Sequence, residues 1–392
     1  MTAQHMGVQH IGVQYHALPT GTLELTVQDS SVAQDDLLGF AARANAKRGF
    51  LFLSKVLGKH WPVRPSTMGD IHTRMAAAVP ELPGPVLFIA MAETAIGLGQ
   101  GVFEAWLRAH PAQPALFIHT TRYRVGDTEL VEFEEAHSHA PRQFLHLPAG
   151  DAERALLMGA RSLVLVDDEA STGNTFLNLT EACRALNPGL MQVHLATITN
   201  FMGAAATAGL SERFGLAVSS AAVLSGTYTF TPGQLDDSGA PAQRYDASAD
   251  RGASAEYGRL GIAHAVARPA ALAQQLAATI AQGDTVLVLG TGEFMHAPYL
   301  LGAALEQLGC DVMVQSTTRS PILVWGAVGA ALTFADNYGE GISNYLYNVT
   351  RGQYDHVIIC HETQHNAALQ HLAGLLDARL LHFPTATRID TL

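Results

Sequence analysis

Apolar residues along this chain fall into two patterns that take turns. Val86–Ala90, Ala115–His119, Ser162–Val166 and Met191–Ile198 are short apolar runs with few polar interruptions, while Gly101–Ala109, Asp151–Met158 and Thr175–Leu186 space their apolar residues three and four apart. An unbroken run suits a strand covered on both faces, and the wider spacing suits a helix lying over it. Their alternation builds a parallel sheet with crossover helices, so the expected class is α/β.

The rhythm breaks once. From Thr231 to Gly258 the sequence TPGQLDDSGAPAQRYDASADRGASAEYG has no apolar periodicity and reads as a linker or mobile loop near a domain boundary, dividing the chain into residues 1–255 and 256–392. Beyond it the pattern restarts as a copy. The first part runs VLFIA, a turn with Glu93, a helix, ALFIH and Thr120-Thr121-Arg122; the second runs TVLVLG, a turn with Glu293, a helix, DVMVQ and Thr317-Thr318-Arg319. Arg122 follows Glu93 by 29 residues and Arg319 follows Glu293 by 26, and a third apolar strand follows each, SLVLV and HVIIC. Duplication is the economical explanation, although any two units of this class share such a rhythm.

Composition narrows the setting. With 392 residues and 48% hydrophobic content there is room for two or three domains with cores of their own. The start MTAQHMGVQH lacks the pattern of a secretory signal, and Val324–Ala335 falls short of the roughly 18 apolar residues of a spanning helix, so no membrane association is expected. Cys183, Cys310 and Cys360 are odd in number, far apart and form no CxxC pair, which fits a reducing cytoplasm rather than a disulfide framework. The formal net charge of −12 argues against a nucleic-acid partner, because phosphate-tracking proteins carry a basic face. The chain has only three lysines, and Lys47, Lys55 and Lys59 all fall within AKRGFLFLSKVLGKH. That cluster marks either a place where compact ammonium groups are wanted or a solvated helix face.

The strongest chemical signal runs from Leu163 to Thr175. Four apolar residues make a buried strand that delivers Asp167 and Asp168 to the carboxyl edge of the sheet, where open α/β folds bind ligands. Ala170-Ser171-Thr172-Gly173-Asn174-Thr175 then supplies small residues, hydroxyls and the positive start of a helix, a combination suited to a phosphate. Two carboxylates would repel a phosphate at close range, so they belong on sugar hydroxyls or near a cation. This pattern resembles the PRPP (5-phosphoribosyl 1-diphosphate) signature of the type I phosphoribosyltransferases.

The resemblance implies a parallel-sheet phosphoribosyltransferase fold over residues 1–255, with Asp167 and Asp168 on the ribose hydroxyls and Ala170–Thr175 on the 5-phosphate. It implies Mg²⁺ brought by PRPP near the two aspartates, and PRPP, or a nucleotide monophosphate with pyrophosphate, as the partner. Ala92-Glu93-Thr94-Ala95-Ile96-Gly97 sits where the family holds pyrophosphate on backbone amides. Arg122, with Arg124, Arg142, Lys55 and Lys59, offers cations for the developing charge of the leaving group. Val125–Pro148, with His137, His139, Arg142 and His146, falls where the family has a closing loop, and a surface hairpin is the other reading. The acceptor would lie under a hood from residues 1–65 and the stretch around Val218–Tyr228, and a homodimer is the default for the family.

The second part departs from the signature. Alignment of its third strand sets Cys360 and His361 opposite the two aspartates, while Gly290-Thr291-Gly292-Glu293 and Thr318-Arg319-Ser320 form a candidate anion site. This part resembles the TRSP domain, found behind phosphoribosyltransferase-like domains in bacterial proteins of tellurium-resistance and stress gene clusters. His361-Glu362-Thr363-Gln364-His365 matches HExxH, with His371 or Glu340 as a third ligand, but starts at a strand end instead of inside a helix. Three functions follow from these signals: an Mg²⁺-dependent phosphoribosyltransferase, a non-catalytic PRPP or nucleotide sensor, and a zinc hydrolase.

Overall fold

The computed structural model describes residues 12–43, 48–134, 142–233, 252–385 and 388–391, with nothing assigned to the side chains of Glu134, Arg142, Arg388, Asp390 and Thr391. Two sheets dominate. The first has seven strands in the order Val13–Leu18, Gly21–Ser30, Ala217–Pro232, Gln192–Asn200, Ser162–Ala170, Val86–Ala90, Ala115–His119. The last five are parallel and the first two add antiparallel at the edge. The second has Asp311–Ser316, Thr285–Gly290, His356–His361, Arg379–Thr385 and Arg388–Thr391, parallel except for the last. Among the described residues no helix is long and apolar enough to cross a membrane.

The apolar runs form strands because the sheet buries both faces. Val164 and Val166 join one core with Phe88, Phe103 and Trp106, whereas Leu163 and Leu165 join the opposite core with Leu87, Ile89 and Phe176. Each such side chain contributes about 1.5–3 kcal/mol by leaving water, so a slip of one position would cost several at once. The strand Ser162–Ala170 runs past the apolar residues and carries Asp167, Asp168 and Glu169 within it. Helix Ile96–Ala109 lies close over the end of Val86–Ala90, where a Cβ on Gly99 would overlap that of Ala90.

The two sheets are built alike, down to single hydrogen bonds. Ala92 N donates to Thr120 Oγ1 at 2.8 Å, and Gly292 N donates to Thr317 Oγ1 at 2.9 Å. In each sheet the edge strand, Ala115–His119 or Asp311–Ser316, is followed by a hairpin before the chain returns to the sheet, Leu130–Glu134 with Arg142–His146 and Ala331–Ala335 with Ser343–Tyr347. Each hairpin bridges back to a threonine, Thr121 to Phe144 and Thr318 to Tyr345. Val125–Pro148 thus holds an antiparallel hairpin, and its residues 135–141, including His137 and His139, lie outside the described residues, as does most of the polar passage, 234–251.

The halves also exchange arms. Val63 bridges the edge strand of the second sheet at Val314, and Ile262 bridges the edge strand of the first at Phe117. Helices Ile96–Ala109 and His296–Gln307 pack across the same junction, with His296 Nε2 2.9 Å from Glu104 Oε1. One correction follows for the alignment. Val86 pairs with Ser162 and Val286 with His356, so Asp167 corresponds to His361 and Asp168 to Glu362, one position later than the sequences suggested.

Candidate active site

A cleft opens at the carboxyl edge of the first sheet, enclosing about 1280 Å³ with its mouth counted. Its floor is Asp167, Asp168 and Glu169; one end is Ala170–Gly173 with Thr175; the other is Ala92–Thr94, Arg122 and Thr318–Ser320. Arg43, Arg48, Leu51 and His60 form a further wall. Residues far apart in sequence converge here because strand ends Ala90, His119 and Ala170 lie side by side in the sheet, and the exchanged arm brings the second half over them.

The loop after the floor is shaped for an anion. Gly173 adopts φ +73°, a left-handed conformation that side chains disfavour, and precedes helix Asn174–Leu186. Arg213 holds the loop from behind, donating to Thr172 O at 2.6 Å and to Asn174 Oδ1. Phe201 N donates to Ala170 O at 2.7 Å, tying the loop to the next strand.

The floor is crowded with acids. Asp168 N donates to Asp167 Oδ1 at 2.9 Å. Burial raises the Asp168 carboxyl and likewise that of Glu169, although Arg48 NH2 stands 2.6 Å from Glu169 Oε1. On the wall, burial and then the neighbouring Arg48 lower the Arg43 guanidinium to about 10, and its Nε has no partner among the described residues. His60 is held neutral, down at about 3, by burial and then by Arg43 and Lys59.

At the far end a buried network ties both halves together. Glu93 Oε1 lies 2.6 Å from Lys59 Nζ, Glu93 Oε2 accepts from Arg319 Nε at 3.3 Å, and Arg319 NH1 reaches Glu340 Oε2 at 2.7 Å. Burial alone would raise the Glu93 carboxyl, but Lys59, Arg319 and Arg122 hold it down at about 2. The mirror-image position uses arginine: Arg259 lies 3.1 Å from Glu293 and 2.7 Å from Glu362, and Glu293 also accepts from Thr121 Oγ1 and Arg122 N.

Residues 37–227 match the family model described as phosphoribosyl transferase, and residues 256–379 match the TRSP domain found C-terminal to it. The chain joins a phosphoribosyl transferase domain to a TRSP domain. No curated protein matches it. Among solved structures, adenine phosphoribosyl transferase of Trypanosoma brucei is 13% identical, with 55% of this chain and 87% of that chain covered at a TM-score of 0.35. That of Giardia lamblia is 15% identical, with 50% and 98% covered at 0.33. Orotate phosphoribosyltransferase of Francisella tularensis is 16% identical, with 40% and 65% covered at 0.26.

Within the phosphoribosyl transferase domain, Asp167, Asp168, Ala170–Gly173, Thr175, Glu93, Thr94 and Arg122 all line the cleft. Several expected cations do not. Lys55 donates to Asp35 O at 2.7 Å and lies over Trp61, Arg124 lies over the Phe144 ring, and Lys59 is buried against Glu93 and Gly292 O. Of these only Lys59 is buried in a network, while Lys55 and Arg124 are partly exposed and engaged in local contacts. Ala95 is buried behind the cleft, and the Asn174 side chain turns to Arg213. Arg142 lies outside the described side chains.

Among the described residues, the segments expected to make a separate anion site in the TRSP domain are engaged elsewhere. Gly290 and Thr291 lead into a turn filled by the protein itself, with Gly292 O accepting from Lys59 and Ser316 and Glu293 locked to Arg259, while Thr318, Arg319 and Ser320 face the first cleft. The HExxH sequence spans a strand end and a turn, so His361 and His365 share no helix face, and Glu362 is bound by Arg259 and Tyr338. Among the described residues no three metal-ligating side chains come together.

Sequence reading missed Arg43 and Arg48. Both stem from the turn of hairpin Leu38–Ala42 with Phe50–Ser54, and the basic segment ARANAKRG was their only signal. It drew attention through its lysines, whereas arginines do the facing; Lys47 lies outside the described residues.

Proposed function

We propose that this chain is an Mg²⁺-dependent phosphoribosyltransferase that binds PRPP in the cleft and transfers ribose 5-phosphate to a base or base-like acceptor, or runs the reverse with a nucleotide monophosphate and pyrophosphate. The observation that carries the reading is one continuous cleft with adjacent aspartates between a phosphate-shaped loop and a backbone turn flanked by Arg122. Asp167 and Asp168 would accept from the ribose 2- and 3-hydroxyls, Ala170–Thr175 would hold the 5-phosphate, and Ala92–Thr94 the diphosphate. The adjacent hard carboxylate oxygens of Asp167 and Asp168 on the cleft floor would suit a divalent cation brought in by PRPP. When bound with PRPP it supplies charge neutralisation for the departing pyrophosphate.

The protein's own work is positioning and electrostatics. As the acceptor's lone pair forms its bond to C1, the C1–oxygen bond breaks and pyrophosphate leaves with that electron pair. Cations fixed beforehand at that end need no rearrangement when the charge appears. The wall of Arg43, Arg48 and His60 faces the place left for the acceptor. The resemblance to proteins of tellurium-resistance and stress gene clusters supports a nucleotide-like product for that setting.

Calorimetric titration of PRPP with Mg²⁺ into the wild type and an Asp167→Asn, Asp168→Asn variant tests this. Binding to the wild type that weakens at least tenfold in the variant supports the assignment; a wild type that takes up no PRPP overturns it.

A further inference from the structure

The sequence motif for which the second domain stands out is turned away from its own sheet edge. Thr318, Arg319 and Ser320 line the cleft of the first domain, beside Ala92–Thr94 and Arg122. Their position is fixed from several directions: the bridge of Thr318 with Tyr345, the contacts of Arg319 with Glu93 and Glu340, and Tyr347 Oη donating to Ser320 O at 2.7 Å. Arg319 also lies over the Tyr123 ring, which stacks on Tyr338. Ser320 Oγ is buried and has no hydrogen-bond partner among the described residues, although the residue faces the cleft.

The corresponding place in the second domain is closed. Arg259 fills it, binding Glu293 and Glu362, the latter standing where the first domain has Asp168. Arg259, Glu293 and Glu362 are at most 5% exposed, leaving no room for a sugar phosphate. One cleft is open and its counterpart is sealed by protein charges.

We infer that the second domain serves as a built-in partner subunit whose Thr318-Arg319-Ser320 segment forms part of the diphosphate subsite of the first domain's cleft. The inference rests on the proposed PRPP reading and goes beyond it. The order of strand ends sets which part of the ligand the segment meets. Residues 170–175 follow one strand and Ala92–Thr94 follow its neighbour, and Arg319 is joined to Glu93, on the side away from the 5-phosphate loop. Ser320 Oγ offers a hydroxyl donor to a phosphate oxygen, and Arg319 adds fixed positive charge while holding Glu93 in place.

The test compares three probes on the full chain by calorimetry with Mg²⁺: PRPP, inorganic pyrophosphate and ribose 5-phosphate. Ser320→Ala removes one oxygen from a site with no partner to disturb, and Arg319→Gln removes the charge. The expected result is a loss of about tenfold or more in affinity for PRPP and pyrophosphate in each variant, with ribose 5-phosphate held within about twofold. If Arg319→Gln does not fold, Ser320→Ala decides alone. Unchanged pyrophosphate binding in folded Ser320→Ala overturns the inference, as does an equal loss for ribose 5-phosphate. Wild type that binds ribose 5-phosphate but not pyrophosphate overturns it while leaving the 5-phosphate loop standing; wild type that binds none of the three sinks the PRPP reading itself.

Discussion

Glu93 and Arg319 lie 226 residues apart in sequence and meet at 3.3 Å inside the cleft, each at the carboxyl end of a different sheet. With Lys59 Nζ at 2.6 Å from the same carboxylate, the contact makes the rim of the cleft and the junction between domains one structure. The lining of the cleft and the domain contact therefore share residues.

Removing the Glu93 charge should be costly. Glu93→Gln leaves Lys59 and Arg319 buried with reduced compensation, and breaking one side of such a network costs about 3–5 kcal/mol. Urea unfolding should show that loss; a change below about 1 kcal/mol would mean the network is not a structural joint.

Acid should weaken the fold before carboxylates titrate. Burial holds His60 and His72 near 3, and His119, His194 and His361 near 4, against an ordinary value of 6.5. The unfolded chain takes up protons below 6.5 that the folded one refuses. Stability is therefore complete above pH 6.5 and falls as pH drops toward 4, by up to about 1.4 kcal/mol per pH unit for each histidine. The Glu93 pair adds a later loss, between its ordinary 4.5 and about 2. Urea midpoints at pH 7.5 and 5.5 should differ clearly; equal midpoints would contradict neutral buried histidines.

Much of this site was legible because local chemistry repeats. Strand Val86–Ala90 and strand Ala115–His119 fall where their apolar runs begin and end, and Asp167–Thr175 announces its loop by small residues and hydroxyls in order. The duplication was visible in Glu93 with Arg122 and Glu293 with Arg319. What could not be read was the crossing: Arg319 serves Glu93, while Glu293 accepts from Thr121 and the Arg122 amide. Sequence spacing carries no information about which sheet edge faces which. Lys59 looked like a ligand cation for the same reason, since burial against Glu93 depends on an arm laid across the other domain.

Gly173→Ala should injure the phosphate loop selectively. A side chain at φ +73° is strained, and its Cβ would come within 3.1 Å of Met202 Sδ. The cost is about 1–2 kcal/mol, and affinity for ribose 5-phosphate should fall several-fold by calorimetry while pyrophosphate affinity holds. A variant that binds ribose 5-phosphate as the wild type does would argue against this loop as the 5-phosphate site.

Arg259→Met leaves Glu293 and Glu362 facing each other without their cation. A stability loss of about 3–5 kcal/mol is expected in urea, partly recovered when Glu362→Gln is added. No recovery in the double variant would place the loss in packing instead of charge.

The most direct test is ³¹P NMR of PRPP with Mg²⁺ titrated with the full chain. The 5-phosphate and both diphosphate resonances should shift or broaden together at substoichiometric protein, and Gly173→Ala should weaken the effect, most strongly at the 5-phosphate. Resonances left unchanged by equimolar wild-type protein would contradict PRPP binding in this cleft.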